Sequence, residues 1–160
     1  MQLRELKRAD WPRVLDLNQR SVRELSELDQ QRLEYILSFA HRSLVVDSAG
    51  EVVAFALAMA PASAYDSRNY RWFDAHFDRF LYLDRIAVAE AARRRGIGAR
   101  LYDAMEEAAV AFDRMVCDVN LRPPNDVSLA FHAARGYREI GRLTHPEKVV
   151  ALLGKDLQGL

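Results

Sequence analysis

The sequence predicts one α/β domain, a mixed sheet flanked by helices, and three observations predict it. A chain of 160 residues fits a single domain, read here as residues 1–160. Half of those residues are hydrophobic and 29% are charged, enough to close one core. Helix-period and strand-like segments alternate, and one apolar run ends in a glycine-containing turn that opens an amphipathic helix.

Taken in order, the chain leaves room for a first strand at Gln2 to Leu6. Asp10 before Trp11-Pro12 then reads as a helix cap with a first-turn proline, and Val14, Leu15, Leu17 and Val22 continue a helical pattern. A second helix is expected at about Asp29 to Phe39, with Leu33, Ile36, Leu37 and Ala40 on one face. Leu44-Asp47 and Val52-Met59 read as a hairpin around Ser48-Ala49-Gly50-Glu51. Pro61 to Arg79 mixes aromatic and polar residues without a clean period and is expected to be a long loop with room for a helical turn.

Phe80 to Val88 predicts a strand. Ala99 to Phe112 predicts a helix, with Leu101, Met105, Ala108 and Phe112 inward and Asp103, Glu106 and Glu107 outward. Met115 to Val119 is the next strand, and a short helix from Asn125 to Ala134 ends at Gly136. Tyr137 to Leu143 and Val149 to Leu153 finish the sheet. The final strand is expected at an exposed edge, where pairing with a second copy would give a homodimer.

Composition removes several function classes. Lys plus Arg and Asp plus Glu are each 23, so no net charge draws the protein to nucleic acid or an anionic membrane. The longest apolar run, Val52 to Ala62, is about half of a membrane span. The first residues carry no secretory pattern, which makes the cytoplasm the default location. Cys117 is the only cysteine, and His41, His76 and His145 lack ligand spacing, so no metal is expected.

The chemistry concentrates at Leu83-Asp84-Arg85-Ile86-Ala87-Val88 and Arg93-Arg94-Arg95-Gly96-Ile97-Gly98-Ala99. A strand feeds a cationic glycine turn that opens a helix, so unpaired amides and the positive helix end converge on a point suited to phosphate. The bland alternative is an ordinary turn with solvated arginines. A P-loop fails because no Gly-Lys-Ser/Thr follows, and a dinucleotide fingerprint fails because Leu101 stands at its third glycine.

Arg93-Arg94-Arg95-Gly96-Ile97-Gly98 resembles the Gln/Arg-x-x-Gly-x-Gly/Ala hallmark of the GCN5-related N-acetyltransferase (GNAT) family. The resemblance extends to Ile86-Ala87-Val88, Leu101-Tyr102, Asn125 and the Phe131-to-Tyr137 segment, covering about Met1 to Leu153. It implies a GNAT-like acyl-CoA N-acyltransferase fold with a central mixed, mostly antiparallel sheet, acetyl-CoA as cosubstrate and a primary amine, small-molecule or peptide, as acceptor. It further implies that Arg93, Arg94, Arg95, Gly96, Ile97, Gly98 and Ala99 cradle the pyrophosphate. Ile86 and Ala87 would then face the pantetheine arm on a strand splayed from Met115 to Val119. The Val88 amide would face the thioester oxygen, and Asn125 would contact the pantetheine or simply cap its helix.

His132 stands where many members carry the Tyr that protonates the departing thiolate, and imidazole suits that task near neutral pH. For the base, Asp84 is the first choice, on the argument that alternation places it with Ile86 and Val88; an ion pair with a nearby Arg is its alternative, and Asp118 is its rival. Tyr70, Trp72, Phe73, Asp74 and Asp78 are acceptor-wall candidates, with core packing and solvation as their ordinary readings. Two other functions fit the same letters: a non-catalytic acyl-CoA-binding module and a small dinucleotide-binding protein.

Overall fold

The computed structural model describes residues 1–21 and 25–157; Val22, expected on the first helix's apolar face, lies outside the described residues. The elements are β1 (Gln2–Glu5), α1 (Trp11–Arg20), α2 (Gln30–Phe39), β2 (Ala40–Ser48), β3 (Glu51–Met59) and α3 (Arg68–His76). They continue as β4 (Leu81–Val88), α4 (Ile97–Ala109), β5 (Arg114–Arg122), α5 (Asp126–Ala134), β6 (Arg138–Thr144) and β7 (Val149–Asp156). They build a seven-stranded sheet in the order β1-β2-β3-β4-β5-β7-β6. Every neighbouring pair is antiparallel except β4 with β5.

Each face of the sheet carries a core. α4 and α5 cover Leu81, Leu83, Met115, Cys117 and Val119 on one side. α1, α2 and α3 cover Phe55, Leu57, Tyr82, Val116 and Leu152 on the other. Strand alternation explains the division, since Leu81 and Leu83 point one way and Tyr82 the other. No described helix is long and apolar enough to cross a membrane.

Several expectations change. Pro61 to Arg79 is more than a loop: α3 forms within it, with Ser67 accepting the Tyr70 amide as a cap and Tyr70 and Phe73 fully buried. Those two aromatics are core. α4 starts at Ile97, two residues early, and Val110–Phe112 continues it as a 3₁₀ turn. Glu106 turns inward rather than outward, accepting from Arg135, Lys155 and Tyr137. The Asp10 carboxylate does not cap α1; it bonds the Lys7 amide and the Arg4 guanidinium. β7 is not an edge, because it lies between β5 and β6, so the dimer expected through it has no free strand to use.

Candidate active site

The site begins with the way β4 leaves its neighbours. β3 and β4 pair through Met59↔Tyr82 and Ala58↔Leu83 and resume at Leu57↔Arg85, so Asp84 is the extra residue of a β-bulge. A bulge breaks the alternation. Asp84 and Arg85 therefore both bond to groups on the α1–α3 side, whereas Ile86 and Val88 pack into the α4 side. The expected common face for Asp84, Ile86 and Val88 is thus corrected: it assumed an unbroken strand.

On the other flank, β4 and β5 pair only through Leu81↔Met115 and Tyr82↔Val116. Beyond those pairs the strands part, with Ile86, Ala87 and Val88 on one lip and Cys117 to Asn120 on the other. Past the end of β4, Arg93, Arg94, Arg95 and Gly96 are exposed, and Ile97, 3% exposed, pins the loop to the core. Gly96 caps α4 at φ 74°, a left-handed conformation that suits glycine. The first α4 bond closes from the Arg100 amide to the Gly96 carbonyl, so the amides of Ile97, Gly98 and Ala99 have no intrahelical acceptor.

A Cβ built on Gly96 or Gly98 would meet no atom within 4 Å, so an anion has room to approach these amides. The loop fits a phosphate group. Beside it lies a cavity of about 720 Å³ lined by Arg13, Leu17 and Arg20 of α1 and by Val88, Ala89 and Arg93 among others. Two of the sequence-predicted residues, Val88 and Arg93, meet there.

The two candidate bases and the candidate acid sit on opposite faces of the gap. On the α1–α3 side, Asp84 accepts from the Tyr65 hydroxyl at 2.6 Å and from Arg85 Nε at 2.9 Å, with both charged side chains buried. Arg85 continues to Asn18 Oδ1 at 3.0 Å and Ser26 Oγ at 3.0 Å, tying β4 to α1 and the segment after it. Asp118 accepts from the Tyr82 hydroxyl at 2.5 Å. It lies deep in the sheet yet keeps some exposure, and its surroundings push its carboxyl up to about 6. Burial is the main cause and the Asp84 charge adds to it, while the Tyr82 hydrogen bond acts against them.

On the α4–α5 side, His132 is 4% exposed, and its ring is hydrogen-bonded at both nitrogens: Nδ1 to the Ser128 carbonyl at 2.7 Å and Nε2 to the Tyr102 hydroxyl at 2.5 Å. Burial lowers its affinity for a proton. Asn125 caps α5, its side chain accepting the Ser128 amide at 3.2 Å. Tyr102, Tyr82, Tyr65 and Arg85 were not singled out from the sequence. Tyr102 had a signal in its place one turn into the helix after the glycines; the others depend on the bulge and the splay. Among the described residues no cluster of three or more His, Cys, Asp or Glu side chains is placed to hold a metal ion.

The acetyltransferase (GNAT) family profile matches residues 2–137. No curated protein matches the chain in sequence. Among solved structures, the ribosomal-protein-alanine N-acetyltransferase of Brucella melitensis is 22% identical, with a TM-score of 0.74 over 98% of this chain and 100% of that one. Ard1 from Thermoplasma volcanium is 18% identical, with a TM-score of 0.78 over 98% and 97%. Arabidopsis thaliana NAA60, solved in complex with a bisubstrate analogue, is 14% identical, with a TM-score of 0.77 over 99% of each chain. These likenesses are of fold, and the profile match decides the family: the chain belongs to the GNAT acetyltransferases.

Proposed function

We propose that the protein moves an acetyl group from acetyl-CoA directly to a primary amine. One observation carries the reading: the unpaired gap between β4 and β5 has Asp118 on one face and the Tyr102–His132 pair on the other, with the open start of α4 beyond the end of β4. Acetyl-CoA, when bound, supplies the activated acetyl group. The amides of the Arg93-to-Ala99 turn hold its pyrophosphate, with Arg93, Arg94 and Arg95 adding positive charge. The Ile86 and Ala87 backbone binds the pantetheine arm, with Asn125 near its far side, and the Val88 N–H faces the carbonyl oxygen that gains charge during attack.

Asp118 takes the proton from the incoming ammonium group, because a carboxyl titrating at about 6 is ionised at neutral pH and still basic enough to help. Asp84, the sequence-based choice, has both oxygens engaged by Tyr65 and Arg85. Its role in this scheme is electrostatic: it keeps a negative charge beside Asp118. His132 is the source of the proton that returns to sulfur. Cys117 is buried with its thiol pushed up, so it is a poor nucleophile and transfer needs no acetyl-enzyme.

The Brucella neighbour is named for acetylating a ribosomal-protein alanine, which makes a peptide amine the first acceptor to try. Thermal stabilisation by acetyl-CoA and CoA but not NAD, followed by thiol release with peptide or small-molecule amines, is the expected result. Stabilisation without release against any amine would identify a non-catalytic acyl-CoA-binding module. No stabilisation by either CoA species would remove the Arg93-to-Ala99 turn from any cofactor role.

A further inference from the structure

We infer that Tyr82 is a positioning residue for Asp118: its hydroxyl fixes the carboxylate where the gap opens and holds it in the charged form that can take a proton. The inference rests on the acetyl-transfer reading above and gives the base of that reading a partner. Tyr82↔Val116 is the last β4–β5 pair, and Asp118 stands two residues further along β5, where pairing with β7 runs unbroken from Arg114 to Asn120. Tyr82, Val116 and Asp118 therefore share the α1–α3 face. The phenol spans the first open step of the gap and donates to Asp118 Oδ2 at 2.5 Å.

A freely turning phenol would orient nothing, and this one is held. Tyr82 is 2% exposed, and its ring packs against Tyr70 and Phe73 of α3, with centroids 5.8 and 5.6 Å away. α3 thus sets the direction of a hydroxyl on β4, and the hydroxyl sets the direction of a carboxylate on β5. The packing supplies the order before any ligand arrives, so the carboxylate meets the acceptor already aimed.

The same bond separates the two protonation states of Asp118. Burial and the neighbouring carboxylates push the Tyr82 phenol well up, so it stays a donor at every working pH. A phenol can accept from a protonated acid, but the bond it gives to a carboxylate is charge-assisted and about twice as strong. The difference favours ionised Asp118, against its burial and the charge of Asp84 on β4. Lys148, just before β7, and the Asn69 side chain of α3 act in the same sense as Tyr82. Toward the α4–α5 side, Cys117 of β5 and Tyr102 of α4 are neutral, because burial pushes both up.

Tyr82→Phe deletes one oxygen and keeps the ring. Tyr65→Phe is the matched control, since it deletes the phenol that bonds Asp84 instead. The Asp118 carboxyl is titrated by carbon NMR of aspartate-labelled protein, its signal identified by its loss in Asp118→Asn. On the same samples kcat/KM is followed against pH as a ratio to wild type, so that the acceptor's own titration cancels, and acetyl-CoA affinity is read by calorimetry. Tyr82→Phe should move the carboxyl titration, and with it the acid limb, up from about 6 by about one pH unit or more. Its loss of kcat/KM should then be about tenfold larger at pH 5 than at pH 9, with acetyl-CoA affinity unchanged. Tyr65→Phe should leave the Asp118 titration in place. Coincident titrations in Tyr82→Phe and wild type overturn the assignment and leave the acetyl-transfer reading standing, and an equal shift in Tyr65→Phe overturns it as general loosening of the face. A wild type that binds no acetyl-CoA overturns the acetyl-transfer reading and the base role of Asp118, whatever the titration shows.

Discussion

Arg85 Nε donates to Asp84 Oδ2 at 2.9 Å although the two residues are adjacent in one strand. Successive side chains of a regular strand point to opposite faces, so this pair exists because the bulge at Asp84 turns both to the α1–α3 side. Their side chains are 6% and 4% exposed, a charge pair held away from water. Breaking such a pair from one side leaves an uncompensated buried charge, which typically costs about 3–5 kcal/mol. Arg85→Met should therefore destabilise strongly in chemical denaturation. Adding Asp84→Leu should recover part of the loss, and a double variant weaker than Arg85→Met would refute the pairing argument.

Asp118 makes opposite predictions for activity and stability. It works as a base only when ionised, so the acid limb of kcat/KM should rise with pH through about 6. Asp118→Asn should lower kcat by about 10²-fold or more and leave acetyl-CoA affinity intact. For stability the sign reverses. The folded-state value lies above the ordinary 3.8, so the native state binds the proton more tightly, and stability falls as pH rises from about 4 to beyond 6. Asp118→Asn removes that loss, so it should melt higher than wild type at pH 8, with the advantage gone at pH 4. A variant less stable than wild type at both pH values would show that Asp118 is held by favourable contacts instead.

The glycine turn tests the cofactor assignment with the fold as its control. Open space around Gly98 predicts that Gly98→Ala keeps CoA-dependent stabilisation, whereas Gly98→Trp fills the approach to the α4 amides and abolishes it. Both variants should melt cooperatively without ligand. CoA that still stabilises Gly98→Trp would place the pyrophosphate elsewhere.

The parts of the fold legible in the sequence are those where local pattern and tertiary role agree. The hairpin of β2 and β3, the helix after the glycines and the α5 cap at Asn125 each carry their signal in consecutive residues. The glycine turn from Arg93 to Gly98 is legible for the same reason. What escaped was decided by pairing between distant segments. The bulge at Asp84 follows from the β3–β4 register, and it is why alternation misplaced Asp84. Glu106 has the spacing of an outward residue and turns inward because Tyr137, Arg135 and Lys155 arrive from later elements. The internal place of β7 is a matter of strand order, which no local pattern encodes.

α3 escaped for a related reason, and its docking gives the last prediction. Its buried residues, Asn69, Tyr70 and Phe73, face the core, while Trp72 reaches sideways to β6, so aromatic residues lie on more than one face and blur the helical period. The Trp72 ring lies over Gly141, where an added Cβ would stand 2.6 Å from Trp72 Cζ2. Real contacts of that kind do not occur, so the ring or the strand must move. Gly141→Ala should therefore destabilise by about 1–3 kcal/mol, the usual cost of overpacking. Trp72→Leu, which removes the ring, should make Gly141→Ala nearly neutral in the same denaturation series. Additive losses in the double variant would mean that Gly141 is constrained by its backbone and that Trp72 does not rest on it.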